Sequence, residues 1–331
     1  MKRIKNKFKS VDFFIITIAS LLVLLNFHAP KISGENFLDK AQAGSSDWRA
    51  SYSPNHLVPA NNITFPYRPK GVPLFNPQEI TAKEAAVVDQ GTGRILFQKD
   101  AHAKRPIASL TKLMTALVWT EIDGNLDKVV TFESGDYRDG SVPYFIAGEE
   151  VKTKDLLYAG LIASSNSAMA ALVRSSGQTQ EDFVKLMNIK AKELGMTETN
   201  FVEPTGLDSR NMSTASDLFI LARNAFEKLE ISRATQLQAY TFKPINKTMS
   251  RSVKNTNWLL GGAIDEGNYK IQGGKTGYIE ESDYNFVLKI YNKEKDKDLI
   301  VILLGSKETD SRFLEAKKLV EWAYKSYLWK I

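Results

Sequence analysis

The apolar runs with strand character sit towards the two ends of the folding part of this chain, and helical patterns fill the stretch between them. Any sheet must therefore be assembled from segments far apart in sequence, which excludes a simple run of neighbouring hairpins. Near the front, Ala85 to Asp89 and Arg94 to Gln98 are short runs rich in Val, Ile, Leu and Phe. Gln90-Gly91-Thr92-Gly93 between them reads as a hairpin turn. Near the back, Ser250 to Trp258, Ile271 to Tyr278, Tyr284 to Tyr291 and Leu299 to Gly305 read as strands, and the charged turn Asn292 to Asp298 joins the last two. Helical periodicity marks Leu110 to Ile122, Asp155 to Ala163 and Ala168 to Val173. A further helix opens on the capping box at Thr179 and ends at Gly195. Another, capped by Ser213 or Thr214, runs to about Lys228, and a final helix spans Ser311 to Tyr327. This order predicts one α+β domain with an antiparallel sheet flanked by helices.

The front of the chain has a different character. Lys2, Arg3, Lys5, Lys7 and Lys9 precede an uncharged apolar run from Phe13 to Phe27. A helix over that run is roughly 22 Å long at 1.5 Å per residue, short of the ~30 Å hydrocarbon core but typical of a signal-peptide hydrophobic region. No small-residue cleavage site follows at a suitable distance, so residues 1–29 read as a membrane anchor in preference to a cleaved signal, with the basic tail in the cytoplasm and the rest exported. The formal charge of +6 (44 Lys and Arg against 38 Asp and Glu) then resides almost entirely in that tail. The remainder is 39 against 38, which argues against nucleic acid as a partner. Residues 30–80 hold seven of the 11 prolines with scattered Ser, Gly and Asn, and read as a tether or surface wrap whose aromatics could dock on the domain. The folded domain is expected over 81–331.

The chain has no cysteine and only three histidines, His28, His56 and His102, the first two in segments unsuited to a core. Thiolate nucleophiles, disulfides and thiolate metal cages are excluded, and a Ser/His/Asp triad has almost no material to use. Catalysis here must run without a histidine base.

Ser109-Leu-Thr-Lys112 opens the first strong helix and puts a hydroxyl and an amine three residues apart on one face. Such an amine can take the hydroxyl's proton only if burial, a second cation or the helix N-terminus lowers its pKa. Ser164-Ser165-Asn166 interrupts an otherwise apolar helical stretch, and taken alone it is equally a plain helix-to-helix turn. Lys275-Thr276-Gly277 lies inside a strand pattern after Gly273-Gly274, glycines that would let a ligand approach the backbone closely.

In this order, Ser-x-x-Lys, Ser-x-Asn and Lys-Thr-Gly form the signature of penicillin-binding proteins and serine β-lactamases. With Ala86 to Phe97, Arg105 to Ala116, Asp155-Leu-Leu157, Gly206-Leu-Asp208, Ser213 to Leu218, Asn255-Thr-Asn257 and Gly274 to Tyr278, the chain resembles low-molecular-mass, serine-type D-alanyl-D-alanine carboxypeptidases from about Glu84 onward. It departs from their usual pattern at Ser165 and Ser167, where Gly and Asp are usual, and at Ser282-Asp283, where a small pair is usual. The resemblance implies a β-lactamase/transpeptidase-like antiparallel sheet with an all-helical lobe inserted. It also implies Ser109 as nucleophile, Lys112 as its base, Ser164 as proton relay to the leaving amine, and Asn166 as holder of Lys112 and the substrate amide. Lys275 and Thr276 would receive the substrate's terminal carboxylate, Lys275 helping to keep Lys112 neutral. The backbone N–H groups of Ser109 and Tyr278, the latter just after Gly277, would form the oxyanion hole. No cofactor is implied. The expected substrate is the peptidoglycan stem peptide, with β-lactams as covalent inhibitors, at the extracytoplasmic face of a bacterial membrane. The same residues would serve a D,D-endopeptidase cutting cross-links. A β-lactamase or a non-catalytic wall-binding module are the remaining readings.

Overall fold

The computed structural model describes residues 64–329. Residues 1–29, expected as anchor, and most of the Pro-rich stretch lie outside the described residues. Among the described residues no helix is long and apolar enough to cross a membrane.

The strand-like runs at the two ends do meet. β1 (Glu84–Asp89) and β2 (Ile95–Lys99) form the expected hairpin, its turn held by the Asp89 carboxylate accepting from Thr92 N at 2.9 Å. β3 (Tyr269–Ile279), β4 (Asp283–Asn292) and β5 (Lys297–Ser306) supply the rest. The order is β3-β4-β5-β1-β2, antiparallel throughout, with β5 paired to β1 from Leu299↔Asp89 to Leu304↔Glu84.

Both faces of this sheet are covered, and the period of two along each strand deals its side chains into two cores. Ile300, Ile302, Leu304, Ala86, Val88 and Val287 point into the core shared with the helices of the middle segment. Leu299, Val301, Leu303, Ala85, Val87, Phe286 and Leu288 point the other way, under the helix Ser311–Ser326. Each such Leu, Ile or Val contributes roughly 1.5–3 kcal/mol by leaving water, so the strand pairing and the two cores form together.

The middle segment supplies α1 (Thr111–Ile122), α2 (Thr153–Ile162), α3 (Asn166–Ser175), α4 (Gln180–Glu193), α5 (Ala215–Glu227) and α6 (Leu229–Gln236); α7 (Ser311–Ser326) closes the fold. Caps fall where the sequence puts them. Thr179 Oγ1 accepts from Asp182 N at 3.1 Å, and Thr214, not Ser213, caps α5 through Asp217 N at 3.0 Å.

Three features depart from expectation. The strand expected over Ser250 to Trp258 is only Arg251–Lys254, paired with Ala239–Phe242 in a hairpin separate from the main sheet. It stops there because Asn255 and Asn257 turn the chain, each side-chain oxygen accepting from the N–H two residues on. α6 was not expected; it follows α5 after the single extended residue Lys228, which resets the helical phase. The third concerns only the boundary at 81: residues 66–80, read as a tether or surface wrap, take the wrap form, with Pro66–Tyr67 paired to Leu328–Trp329, Ile80 buried and Phe75 edge-on to Phe97 and Trp322.

Candidate active site

The segment before α1 is fixed from three sides. Arg105–Pro106 pairs with Met212–Ser213, and Ile107 N donates to Asn211 O at 3.0 Å. Ala108 then takes a left-handed φ of +48° and leads into a single 3-10 turn, Ala108–Leu110, that carries Ser109. Glycines let the backbone close on this turn from both sides. A Cβ on Gly206 would stand 2.0 Å from Ala108 O, and one on Gly277 would stand 2.8 Å from Ile107 O. A left-handed non-glycine residue costs of order 1–3 kcal/mol, so the clamp is what keeps Ser109 presented. Ser109 does not cap α1; no side chain does.

Lys112, one turn on, is fully buried, and its Nζ donates to Ser109 Oγ at 2.8 Å, Asn166 Oδ1 at 2.6 Å and Thr205 O at 2.5 Å. Burial drives its pKa from 10.5 down to about 7, against the opposing pull of the Glu203 carboxylate. The three acceptors are not equivalent. Asn166 Oδ1 and Thr205 O can only accept, whereas a serine hydroxyl can also donate. When Lys112 is neutral it keeps two N–H bonds, and its lone pair is left facing the Ser109 O–H.

The expected turn between α2 and α3 is present, with Ser164 left-handed at φ +58°. Ser165 caps α3 by accepting from Ala168 N at 3.3 Å. Asn166 is held by donating Nδ2 to Asp139 O at 2.7 Å and its backbone N–H to Ser141 Oγ at 3.1 Å, which aims its carbonyl oxygen at Lys112. Ser167 accepts from Arg138 N at 2.9 Å.

The facing wall is β3. Lys275 is buried, with Nζ donating to Ser164 Oγ and to Thr276 O, both at 2.9 Å. Among the described residues these are its two acceptors, so the charged form keeps one proton without a partner. Burial, and after it the charges of Lys112 and Arg312, push its pKa well below the ordinary lysine value. Thr276 Oγ1 shares a 2.6 Å hydrogen bond with Thr256 Oγ1. Gly277 O accepts from Arg312 Nη1 at 3.2 Å, and the Tyr278 ring is half exposed, stacked on Tyr284 at 4.4 Å.

All eight expected residues thus lie in one cleft, and two expectations change. Gly273 and Gly274 do not make room for a ligand: added Cβ atoms would meet the Phe226 ring at 2.7 Å and Asn257 Nδ2 at 2.8 Å. Lys275 is not an ordinary ammonium, because it is as deeply buried as Lys112. Sequence reasoning missed Arg312, which is buried at the head of α7 with its Nε unpartnered and its pKa lowered by burial to about 10. It also missed the Thr205 carbonyl, which as a backbone group leaves no trace in sequence, and gave Thr256, inside the Asn255-Thr-Asn257 block, no role. The cleft therefore gathers Lys112, Lys275 and Arg312, none ion-paired to a carboxylate among the described residues, around a hydroxyl with an amine beside it. Such an arrangement can ionise a serine next to a bound anion.

This combination of a two-faced antiparallel sheet and a Ser–Lys pair defines a serine hydrolase of the penicillin-binding fold. Residues 72–308 match the D-alanyl-D-alanine carboxypeptidase family, and the chain belongs to that family of serine peptidases. It is 34% identical over 257 residues to a D-alanyl-D-alanine endopeptidase of Pseudomonas aeruginosa, covering 76% of this chain and 79% of that one. It is 32% identical over 253 residues to a D-alanyl-D-alanine carboxypeptidase of Bacillus subtilis, covering 74% of this chain and 63% of the relative. The solved DD-transpeptidase of Streptomyces K15 superposes with a TM-score of 0.68 at 29% identity, over 74% of this chain and 98% of that one.

Proposed function

We propose that this chain removes the terminal D-alanine from peptidoglycan stem pentapeptides through an acyl-enzyme on Ser109. The observation that carries the reading is Lys112, buried, poised near neutrality and hydrogen-bonded to the Ser109 hydroxyl. Neutral Lys112 takes the Ser109 proton as Oγ attacks the carbonyl between the two D-alanines. The oxyanion that forms is received by the backbone N–H groups of Ser109 and Tyr278, which the Gly277 close approach brings together. Ser164, between Lys275 and the reaction centre, passes on to the departing amine the proton that Lys112 took from Ser109, which leaves Lys112 neutral again. The substrate carboxylate docks on the free proton of Lys275, on Thr276 and in the field of Arg312; its charge raises the Lys275 pKa again, so this lysine is charged when occupied. Water then hydrolyses the ester, with Lys112 as base.

The same constellation would cut a cross-link, because only the leaving amine differs, and the name of the Pseudomonas relative favours that second reading. Incubation with a pentapeptide and with a cross-linked dimer, products identified by mass, separates them. Release of D-alanine from the pentapeptide supports the first; cleavage of the dimer alone replaces it with the second. Labelled penicillin should acylate Ser109 in both cases, and label retained by Ser109→Ala would overturn the nucleophile. The enzyme acts in the bacterial cell envelope. We further propose that residues 1–29 tether it to the membrane by the apolar run Phe13 to Phe27; recovery of the full chain in the soluble fraction would overturn this.

A further inference from the structure

Thr256 joins the two walls of the cleft without belonging to either. Its backbone N–H donates at 3.1 Å to the carbonyl of Ile162, the last residue of α2, and its side chain shares the 2.6 Å hydrogen bond with Thr276 Oγ1 on β3. Its place is fixed by its neighbours. Asn255 N donates to Gln238 O at 2.8 Å, Asn255 Nδ2 to Leu237 O at 2.7 Å, and Asn257 N to Asn255 Oδ1 at 2.9 Å, so the backbone on both sides of Thr256 is pinned without its hydroxyl.

A hydroxyl has one hydrogen to give and lone pairs to receive. Among the described residues the Thr256 and Thr276 hydroxyls have only each other, so one hydrogen joins them and the second is unused. Two arrangements follow. If Thr276 donates, the unused hydrogen lies on Thr256 and Thr276 is left as an acceptor. If Thr256 donates, the unused hydrogen lies on Thr276, the residue next to the Lys275 ammonium with its own unpartnered proton. Only the second arrangement offers an anion two donors.

We propose that Thr256 is a positioning residue that sets the direction of the Thr276 hydroxyl, donating to Thr276 Oγ1 so that Thr276 in turn donates to the substrate's terminal carboxylate. The inference rests on the proposed peptidase reading and adds to it a residue outside the three motifs. A carboxylate only accepts, so its arrival selects the second arrangement. A hydroxyl that accepts one hydrogen bond is polarised to donate the next more strongly, so Thr256 strengthens a contact it does not make. The pair thereby favours an anionic end over a neutral one.

The test compares, within each protein, kcat/KM for a peptide ending in D-alanyl-D-alanine with kcat/KM for the corresponding acyl-D-alanyl methyl thioester, which offers Ser109 the same carbonyl and no carboxylate. In Thr256→Val, which keeps the shape and loses the hydroxyl, the ratio of peptide to thioester should fall roughly three- to tenfold, about what one hydrogen bond contributes, and the fall should lie in the KM of the peptide rather than its kcat. Thr256→Ala should show the same fall, and Thr256→Ser, which keeps the hydroxyl, should bring the ratio back. A wild-type ratio in both the valine and the alanine variants, whatever their absolute rates, would overturn the role of Thr256 and leave the peptidase reading intact. So would a serine variant no better than valine. No turnover of the peptide by the wild type together with no penicillin label on Ser109 would overturn that reading, and this inference with it.

Discussion

On the helical wall of the cleft, Lys112 has an oxygen for each of its three protons; on the strand wall, Lys275 has oxygens for only two. Both amines are buried and both have lowered pKa values. What separates them is what their partners can do. Lys112 ends on a hydroxyl whose hydrogen bond can reverse, so it can become a base without losing a contact. Lys275 ends with an unused donor in a positive field shared with Arg312, so it is completed by an anion. Two side chains of one kind are set to different tasks by the chemistry of the atoms around them rather than by burial, which they share.

The largest expected effect follows from replacing each lysine by arginine. A guanidinium cannot deprotonate near neutrality, so Lys112→Arg should lose acylation by about 10³-fold or more, whereas Lys275→Arg, needing only charge and a donor, should stay within about 10²-fold of wild type. Penicillin acylation rates measure both, and equal losses would erase the distinction. Next, Ser164→Ala removes the hydroxyl that links Lys275 to the reaction centre; a drop in acylation of roughly 10²-fold is expected, and an unchanged rate would disconnect the two walls.

The pH dependence sharpens the same contrast. With a Lys112 pKa of about 7, acylation should rise about tenfold per pH unit below neutrality and then level. Lys275 is lowered partly by the charge of Lys112, so a falling limb belongs to the coupled pair, not to one residue. Stability must follow with a defined sign. Between about 7 and 10.5 the unfolded chain binds the Lys112 proton and the folded chain does not, so stability rises with pH across that window, and below it the full cost of a buried ammonium remains. Thermal melts of wild type against Lys112→Met should converge as pH rises; divergence would mean the amine is charged in the fold. The smallest effect concerns Arg312→Met, which removes one of the charges that lower Lys275. The falling limb should move to higher pH and KM rise several-fold, with kcat little changed; an unmoved limb would take Arg312 out of the strand wall's field.

How far the sequence carries depends on which part of the molecule is asked. Strands β4 and β5 are legible because short apolar runs bounded by turn residues mark strands buried on both faces, and caps at Thr179 and Thr214 are read directly from side-chain chemistry. α6 was not, because one extended residue at Lys228 separates it from α5 and no glycine or proline marks the break. Seven of the eight site residues came from three motifs and Tyr278 from standing directly after one, but their division of labour did not. The Thr205 carbonyl is backbone, Arg312 stands in no motif, and the burial of Lys275 depends on elements distant in sequence. The glycines before Lys275 misled for a similar reason, since Phe226 and Asn257, which fill the space, are remote along the chain.

The pairing of β5 with β1 has a consequence in time. Leu299 meets Asp89, so the first hairpin, apolar on both faces, has no partner until the last strands have been made. At roughly 5–20 residues per second, synthesis of the intervening segment leaves it waiting on the order of 10–40 s. During that interval the exposed edge of β1 is open to the wrong strand, and chains halted before Lys297 should be cut by protease within 84–99 while completed chains resist. The long wait makes the first hairpin the part of this enzyme most in need of protection before it is finished.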